Sequence, residues 1–329
     1  MEDSERSQQN DGALPSPDGP EADGRQRLGG SARPRKVRDT IVMYNPELFD
    51  NLGIQNIPLP EFHELARLIA DTFGIKVGEN KRTLVTGRIH PMMEKYGFAN
   101  HRECLEAIKH DASGRLLSEL ANRISTNHTA FYREDAHFDL LRGSILPEIV
   151  ERKKAQNSRD LRVWCAACAT GEEAYTILFS LLKYFGLLEY RNWRAGVLAT
   201  DISADALETA RRGMYTKTRL EPVPRDILNL YFDRIGPESF EVKPEFRDEI
   251  TFRRLNLIND TYPFNSPFDL IFCRNVMIYF SRAIRMRLLG RLHDWLVPGG
   301  YLFIGHSESL VGTHDGFDYV APAAYRRSD

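Results

Sequence analysis

No apolar run in this chain approaches the ~20 residues that a membrane-crossing helix needs. The first forty residues also lack the hydrophobic stretch of a secretory signal. Charge of one sign is missing too: the formal net charge is −2 and the isoelectric point is near 6.5. No global basic field advertises nucleic acid, so any basic surface must be local. Cysteine is scarce, at four residues: Cys104, Cys165, Cys168 and Cys273. Cys165 and Cys168 make a C-x-x-C, but no second ligand pair at zinc spacing accompanies them. Three of the four sit in or beside apolar, strand-like runs, where a free thiol behaves as a small hydrophobe. Internal repeats are absent. These absences lead us to expect a reduced, cytoplasmic, soluble protein without metal, membrane insertion or nucleic-acid partner.

What is present suffices for a sizeable core, since 42% of the 329 residues are hydrophobic, and the length suggests about two domains. Residues 1–38 are rich in Ser, Gly, Pro and charge and cannot offset their ordering entropy, which predicts a disordered tail. Residues 39–122 read as a small helical domain. In LPEFHELARLIADTFGI, Phe62, Leu65, Ile69 and Phe73 recur at helical spacing, with Gly74 as a stop. Its second helix carries Lys81, Arg82, Arg88 and Lys95, either a solvated face or a docking surface for an acidic partner. Residues 123–160 read as an interdomain linker with a polar, aromatic loop, RISTNHTAFYRED. From 161 to 329, the runs LRVWCAA, RAGVLATDI, ITFRRLN, FDLIFCRNV and GGYLFIGHS alternate with helical stretches near 171–186, 203–213 and 281–295. Alternation of this kind implies an α/β, Rossmann-like parallel sheet. A segment at about 220–248, punctuated by Pro and Gly around Phe240, Val242 and Phe246, predicts an inserted antiparallel β-subdomain.

In such sheets ligands sit beyond the carboxyl ends of the strands. The first strand's turn, CAACATGEE, is a dinucleotide fingerprint with most of its glycines replaced. A pyrophosphate would be repelled by carboxylates there, so Glu172 and Glu173 argue against NAD, FAD or ATP. They suit a cationic, phosphate-free cofactor such as S-adenosylmethionine, or they merely complement the helix dipole. Asp201, ending the LATDIS strand, is placed to accept from ribose hydroxyls, although a capping role is open to it and Ser203 is at least as good a cap. Asn275 can offer a donor and an acceptor to an adenine edge, with the Tyr279 hydroxyl near the same rim. Asn127, Thr129 and Arg133 form a compact polar set, or else a plain surface loop.

Two further absences narrow the chemistry. FDLIFCRNVMIYF lacks the Asn/Asp-Pro-Pro-Tyr/Phe turn of many base N-methyltransferases. GHSES lacks the second glycine of a G-x-S-x-G nucleophile elbow, so a polar loop at the sheet edge is preferred to a hydrolase.

TNHTAFYRE, VWCAACATGEEAYTI, ATDIS, FRRLNL, FDLIFCRNVMIYF and FIGHSES, in this order, resemble the chemotaxis receptor glutamate O-methyltransferases from about residue 60 to the C-terminus. The resemblance implies transfer of a methyl group from S-adenosylmethionine to glutamate side chains on the cytoplasmic helices of bacterial chemoreceptors. It also implies recruitment from the cytoplasm to receptor arrays, with docking through Lys81, Arg82, Arg88 and Lys95. Carried over by motif, cofactor contacts fall on Asn127, Thr129, Arg133, Glu172 or Glu173, Asp201, Asn256, Leu257, Asn275 and Val276. Arg133 and Tyr279 fall where the family places its substrate-side residues. Members that tether to a receptor's C-terminal pentapeptide carry a Gly- and Arg-rich loop in the β-subdomain. FDRIGPESFEVKPEFRD has only Gly236, which implies the pentapeptide-independent kind. A cofactor-binding sensor without catalysis, or an NAD-dependent oxidoreductase, are the rival readings.

Overall fold

The apolar spacing noted above shapes the first described element. Phe62, Leu65, Ile69 and Phe73 form the buried face of α1 (Leu59–Phe73). That face packs with α2 (Arg82–Tyr96), α3 (His101–His110) and α4 (Arg115–Ile124) around Val85, Ile89, Leu105 and Leu120. The computed structural model describes residues 55–310 and 316–328. The expected tail over 1–38, and residues 39–54 of the helical domain, lie outside the described residues.

Residues 123–160 depart from the linker expected there. Arg123 and Ile124 still belong to α4, Ser125 to Ala130 have no regular structure, and residues 131–135 form turns. Beyond Asp135 the chain is helical: α5 (Ala136–Leu140), a π-turn (Leu141–Ile145) and α6 (Leu146–Ala155). Phe138, Leu141, Ile145 and Ile149 recur every three or four residues and are buried in the main core. That periodicity was legible, but the polar stretch before it dominated the reading.

The main sheet contains β1 (Val163–Ala166), β2 (Val197–Asp201), β6 (Ile250–Arg254), β7 (Phe268–Cys273), β8 (Leu296–Phe303), β9 (Phe317–Ala321) and β10 (Ala324–Arg327). A second sheet contains β3 (Met214–Thr216), β4 (Phe232–Arg234) and β5 (Ser239–Val242). The main order is β6-β2-β1-β7-β8-β10-β9, parallel except for β10, which runs antiparallel to both of its neighbours, β8 and β9. β1 and β7 are buried along their whole length, as strands covered on both faces must be. Alternate residues feed opposite cores: Val163 and Cys165 enter one, Trp164 and Ala166 the other. All four cysteines are free and buried. Helix α7 (Glu172–Tyr190) follows β1, α8 (Ala204–Arg212) follows β2, and α9 (Arg282–Asp294) follows β7.

The small sheet has the order β3-β5-β4 and is antiparallel throughout. It opens at Met214, ahead of the expected start near 220, because three residues directly after a helix stop give too short a pattern to read. Phe131 is buried against the small sheet, with ring centroids 4.9 Å from Tyr215 and 5.9 Å from Phe232, both edge-on. The aromatic half of the FYRED stretch is therefore an anchor, and its polar half is held at the rim of the main sheet.

Two outcomes are expected. Phe131→Ala removes a fully buried ring and should lower unfolding free energy by about 3–5 kcal/mol, read as a lower urea midpoint. His137 on α5 is held neutral: burial first, then the nearby Arg274 cation, bring its pKa down to about 4, opposed by its contact with the Pro322 carbonyl. His306 adds to the lowering and Glu134 resists it. The unfolded chain therefore binds the proton first. Stability present above pH ~6.5 should be lost as pH falls towards 4, by up to about 3 kcal/mol. Urea unfolding of His137→Gln at pH 7 and at pH 4.5 should show a smaller loss than the parent, and an equal loss would remove His137 from the acid response.

Candidate functional site

The order of the main sheet reverses between β1 and β7, which is where an open α/β sheet forms its ligand crevice. An open cleft lies there, walled by the carboxyl ends of β1, β2 and β7, by the Ser125–Thr129 loop, and by α1 and α2 of the helical domain. The turn after β1 reaches it through Ala167 (φ 60°) and Ala169 (φ 47°). Of the seven described non-glycine residues with positive φ, five are in the loops around this cleft: Tyr132, Glu134, Ala167, Ala169 and Asn275. Left-handed backbone at non-glycine residues is disfavoured and concentrates at functional sites. That explains the small side chains of the turn: Ala bears the left-handed conformation more easily than bulky residues. Gly171 (φ 95°) then starts α7, and a Cβ there would stand 2.8 Å from that of Ala210.

The two adjacent glutamates part company. Glu172 is fully buried outside the cleft, accepting from the Thr170 hydroxyl at 2.6 Å and from Arg219 at 2.8 Å. Burial pushes its carboxyl up in spite of these partners. Glu173 is in the cleft wall, with one oxygen 2.7 Å from Arg274. Of the two alternatives left open by the sequence, only Glu173 lines the cleft. One acid is structural, and both are already matched by an arginine, so their charge no longer argues against phosphate as it did in sequence.

Arg274 was missed in the sequence. Its buried guanidinium donates to Glu173, to Glu134 at 2.9 Å and to the Arg133 carbonyl at 2.5 Å. Burial disfavours the cation, and the two carboxylates reverse that and hold its pKa above the usual value. Glu134 in turn accepts from the Asn275 side-chain amide and the His306 backbone, both at 3.3 Å. Although burial opposes ionisation of Glu134, Arg274 carries its pKa below the usual range. Half-buried Glu308 of the GHSES loop accepts backbone N–H groups from Gly305 (2.7 Å), Asn275 (3.1 Å) and Ile278 (3.2 Å). A Cβ on Gly305 would lie 2.4 Å from the Asn275 amide nitrogen, so only glycine lets the two loops meet.

The remaining sequence candidates are placed as follows. Asp201 is in the cleft wall, buried, and accepts from the backbone of Ala169 and Ser203, each at 2.9 Å; burial pushes its pKa up. Ser203 caps α8. Asn127, Thr129, Arg133, Asn256, Leu257, Asn275, Val276 and Tyr279 all line the cleft. The Asn256 side chain is spent within the protein, donating to the Thr72 carbonyl at 2.7 Å and accepting from Ile258. Arg133 donates to the His128 carbonyl at 3.2 Å. The Tyr279 carbonyl accepts from Lys76 at 2.9 Å, joining the helical domain to the cleft.

The four basic residues expected to dock a partner do not share one free face. Lys81 and Arg88 line the cleft, Arg88 donates to the Ile124 carbonyl at 2.7 Å, and Lys95 pairs with Glu119 of α4 at 2.8 Å. Among the described residues, one trio of possible metal ligands comes together: Glu134, His137 and His306, within 4.8 Å of one another. The Arg274 guanidinium already matches its only carboxylate.

The donor set fits S-adenosylmethionine. A carboxylate at the end of β2 suits ribose hydroxyls, amide and hydroxyl groups at the β7 end and on the Ser125–Thr129 loop suit adenine and amino-acid groups, and Leu255, Leu257, Val276 and Phe280 supply apolar wall.

Known proteins place this arrangement. Residues 60–125 match the family described as CheR methyltransferase, all-alpha domain, and residues 127–325 match CheR methyltransferase, SAM binding domain. A chemotaxis protein methyltransferase of Borreliella burgdorferi is 37% identical over 280 residues, covering 84% of this chain and 97% of that protein. Those of Pseudomonas aeruginosa (36%, covering 78% and 93%) and Escherichia coli (35%, covering 81% and 90%) are similar over the same region. With both family domains matched in order and the cleft formed between them, the chain belongs to the CheR methyltransferase family.

Proposed function

We propose that this protein transfers the methyl group of S-adenosylmethionine to the γ-carboxylate of glutamate side chains on the cytoplasmic helical bundle of bacterial chemoreceptors, giving methyl esters. The observation that carries this reading is the convergence of Asp201, Asn127, Thr129, Glu173 and Asn275 with Arg133 and Tyr279 on one cleft. Bound there, S-adenosylmethionine supplies a methyl carbon activated by its sulfonium.

The accepting carboxylate, with an ordinary pKa of about 4.3, is already ionised at neutral pH. The site therefore needs no general base, and its task is orientation and exclusion of water. Orientation of this kind can supply roughly 7–11 kcal/mol of a barrier. Arg133 fixes the substrate carboxylate through charge-assisted hydrogen bonds, which its planar fork suits. Its backbone is held by Arg274, so the fork projects from a fixed base. Tyr279, tied to Lys76 through its carbonyl, shapes the wall beside it. Asp201, Asn127, Thr129, Asn256, Leu257, Asn275 and Val276 hold the cofactor, with Glu173 in place of the Glu172/Glu173 alternative.

The protein acts in the cytoplasm and is recruited to receptor arrays through Lys81 and Arg82, whose charges complement an acidic helical bundle. Tethering to a receptor C-terminal peptide is not part of this reading. The β4–β5 hairpin has Gly236 alone, and Arg234 is spent on the carbonyls of Gly236 (3.0 Å) and Pro237 (2.9 Å).

Receptor membranes incubated with the protein and methyl-tritiated cofactor should gain label that mild base releases as methanol, because esters hydrolyse and N-methyl groups do not. Label that resists base, or none at all, would overturn the reading in favour of another acceptor or a non-catalytic sensor. In the same assay Arg133→Lys keeps the charge but loses the fork, and turnover should fall by at least tenfold; unchanged turnover would discard the role. Lys81→Glu with Arg82→Glu should raise the receptor KM at low ionic strength. The difference should shrink towards 0.5 M salt, as screening shortens below its ~10 Å reach at 0.1 M, and methylation that is intact at low salt would refute the docking surface.

A further inference from the structure

We propose that Arg88 is a positioning residue for the cofactor loop, so that the helical domain completes the cofactor site as well as meeting the receptor. The inference rests on the reading of Asn127 and Thr129 as cofactor residues. Arg88 projects from the middle of α2 and is half-buried rather than displayed. One terminal nitrogen donates to the Ile124 carbonyl at 2.7 Å. That carbonyl belongs to the last residue of α4, where four C=O groups have no partner within the helix. The same guanidinium reaches the Thr126 hydroxyl, at 3.5 Å from one terminal nitrogen and 3.4 Å from the other.

The loop that follows has little else to hold it. Among the described residues, no backbone-to-backbone hydrogen bond reaches Thr126, Asn127, His128 or Thr129. What does reach them is Arg88 on Thr126 and Arg133 on the His128 carbonyl. Two arginines thus bracket Asn127: one from the helical domain, one from the reaction side of the cleft. A residue on a segment without its own ladder loses affinity by losing order, since each rotatable group left free must be fixed when the cofactor binds. Arg88 fixes it beforehand.

This role separates cleanly from docking, which was the sequence reading of the same residue. A docking contact acts only when the receptor is present. A positioning contact acts on the binary complex with no receptor in the tube. Removing hydrogen bonds from a charged donor costs enough to weaken binding roughly ten- to hundredfold if the loop is loosened throughout. Arg88→Ala should therefore raise the calorimetric Kd for S-adenosylhomocysteine by about tenfold or more, and Arg88→Lys, which can reach one acceptor but not both, should recover part of it. Thermal unfolding of the ligand-free variants separates this from general damage. Should Arg88→Ala fail to fold, Thr126→Val takes its place: it leaves the arginine and its helix-end contact intact, lies on an exposed residue, and should weaken binding about fivefold. An unchanged Kd in the folded variant, with only the receptor KM raised, would overturn the proposal and return Arg88 to docking. Failure of the parent protein itself to bind S-adenosylhomocysteine would instead overturn the cofactor reading of the cleft.

Discussion

The buried guanidinium of Arg274 is the interaction on which the geometry of this cleft depends. A cation taken wholly out of water loses several kcal/mol of solvation, which only excellent partners return. Here the partners come from two segments, Glu173 at the start of α7 and the Arg133 carbonyl with Glu134 before α5, and they meet Arg274 on a third, the loop after β7. The flat face of the guanidinium also rests 5.5 Å from the centre of the Phe138 ring. The three segments are far apart in sequence, Arg274 standing 101 residues from Glu173 and 140 from Glu134. Because an unpaired buried charge costs far more than a weakened surface pair, the three segments can adopt very few other arrangements relative to one another. Arg133 and Asn275 inherit their positions from that constraint.

The same pairing changes the electrostatic account of the site. Read as text, Glu172 and Glu173 make the turn after β1 strongly negative. Folded, each acid is met by an arginine at under 3 Å, Arg219 for one and Arg274 for the other, while Lys76, Lys81, Arg88 and Arg133 bring positive charge to the walls. The cleft is thus mixed in sign, which suits two things at once. A zwitterionic nucleoside can find both signs of partner, and an approaching carboxylate is not repelled. Specificity for a phosphate-free cofactor must then lie in the shape of the turn and in Asp201, not in bulk negative charge.

How much of this could be read in the chain follows from how local each signal is. The strand runs, the Ala-rich turn, Asp201 at the end of β2 and Asn275 after β7 were legible because each is a short pattern with a fixed place in a parallel sheet. The division of labour between Glu172 and Glu173 was not, since neighbouring positions in a first helical turn point about 100° apart and only the tertiary surroundings decide which faces the ligand. Arg274 went unread because nothing local distinguishes a buried arginine from an exposed one; its partners are 101 and 140 residues away. The supposed linker failed for a different reason. Its apolar spacing was visible, but a polar loop of functional interest precedes it and drew the boundary too far along.

Arg88 shows the limit of charge patterning most plainly. Lys81, Arg88 and Lys95 recur every seven residues, which on a helix makes one stripe, and a stripe of like charge reads as a docking face. In the fold that stripe runs beside α4, where Lys95 finds Glu119 and Arg88 finds the helix end. Charge on a helix surface is available to a partner only where the neighbouring helix has not already claimed it. The helical domain of this chain is therefore tied to the cleft by its own side chains: α2, through Arg88, holds the end of α4 and the Ser125–Thr129 loop that follows it.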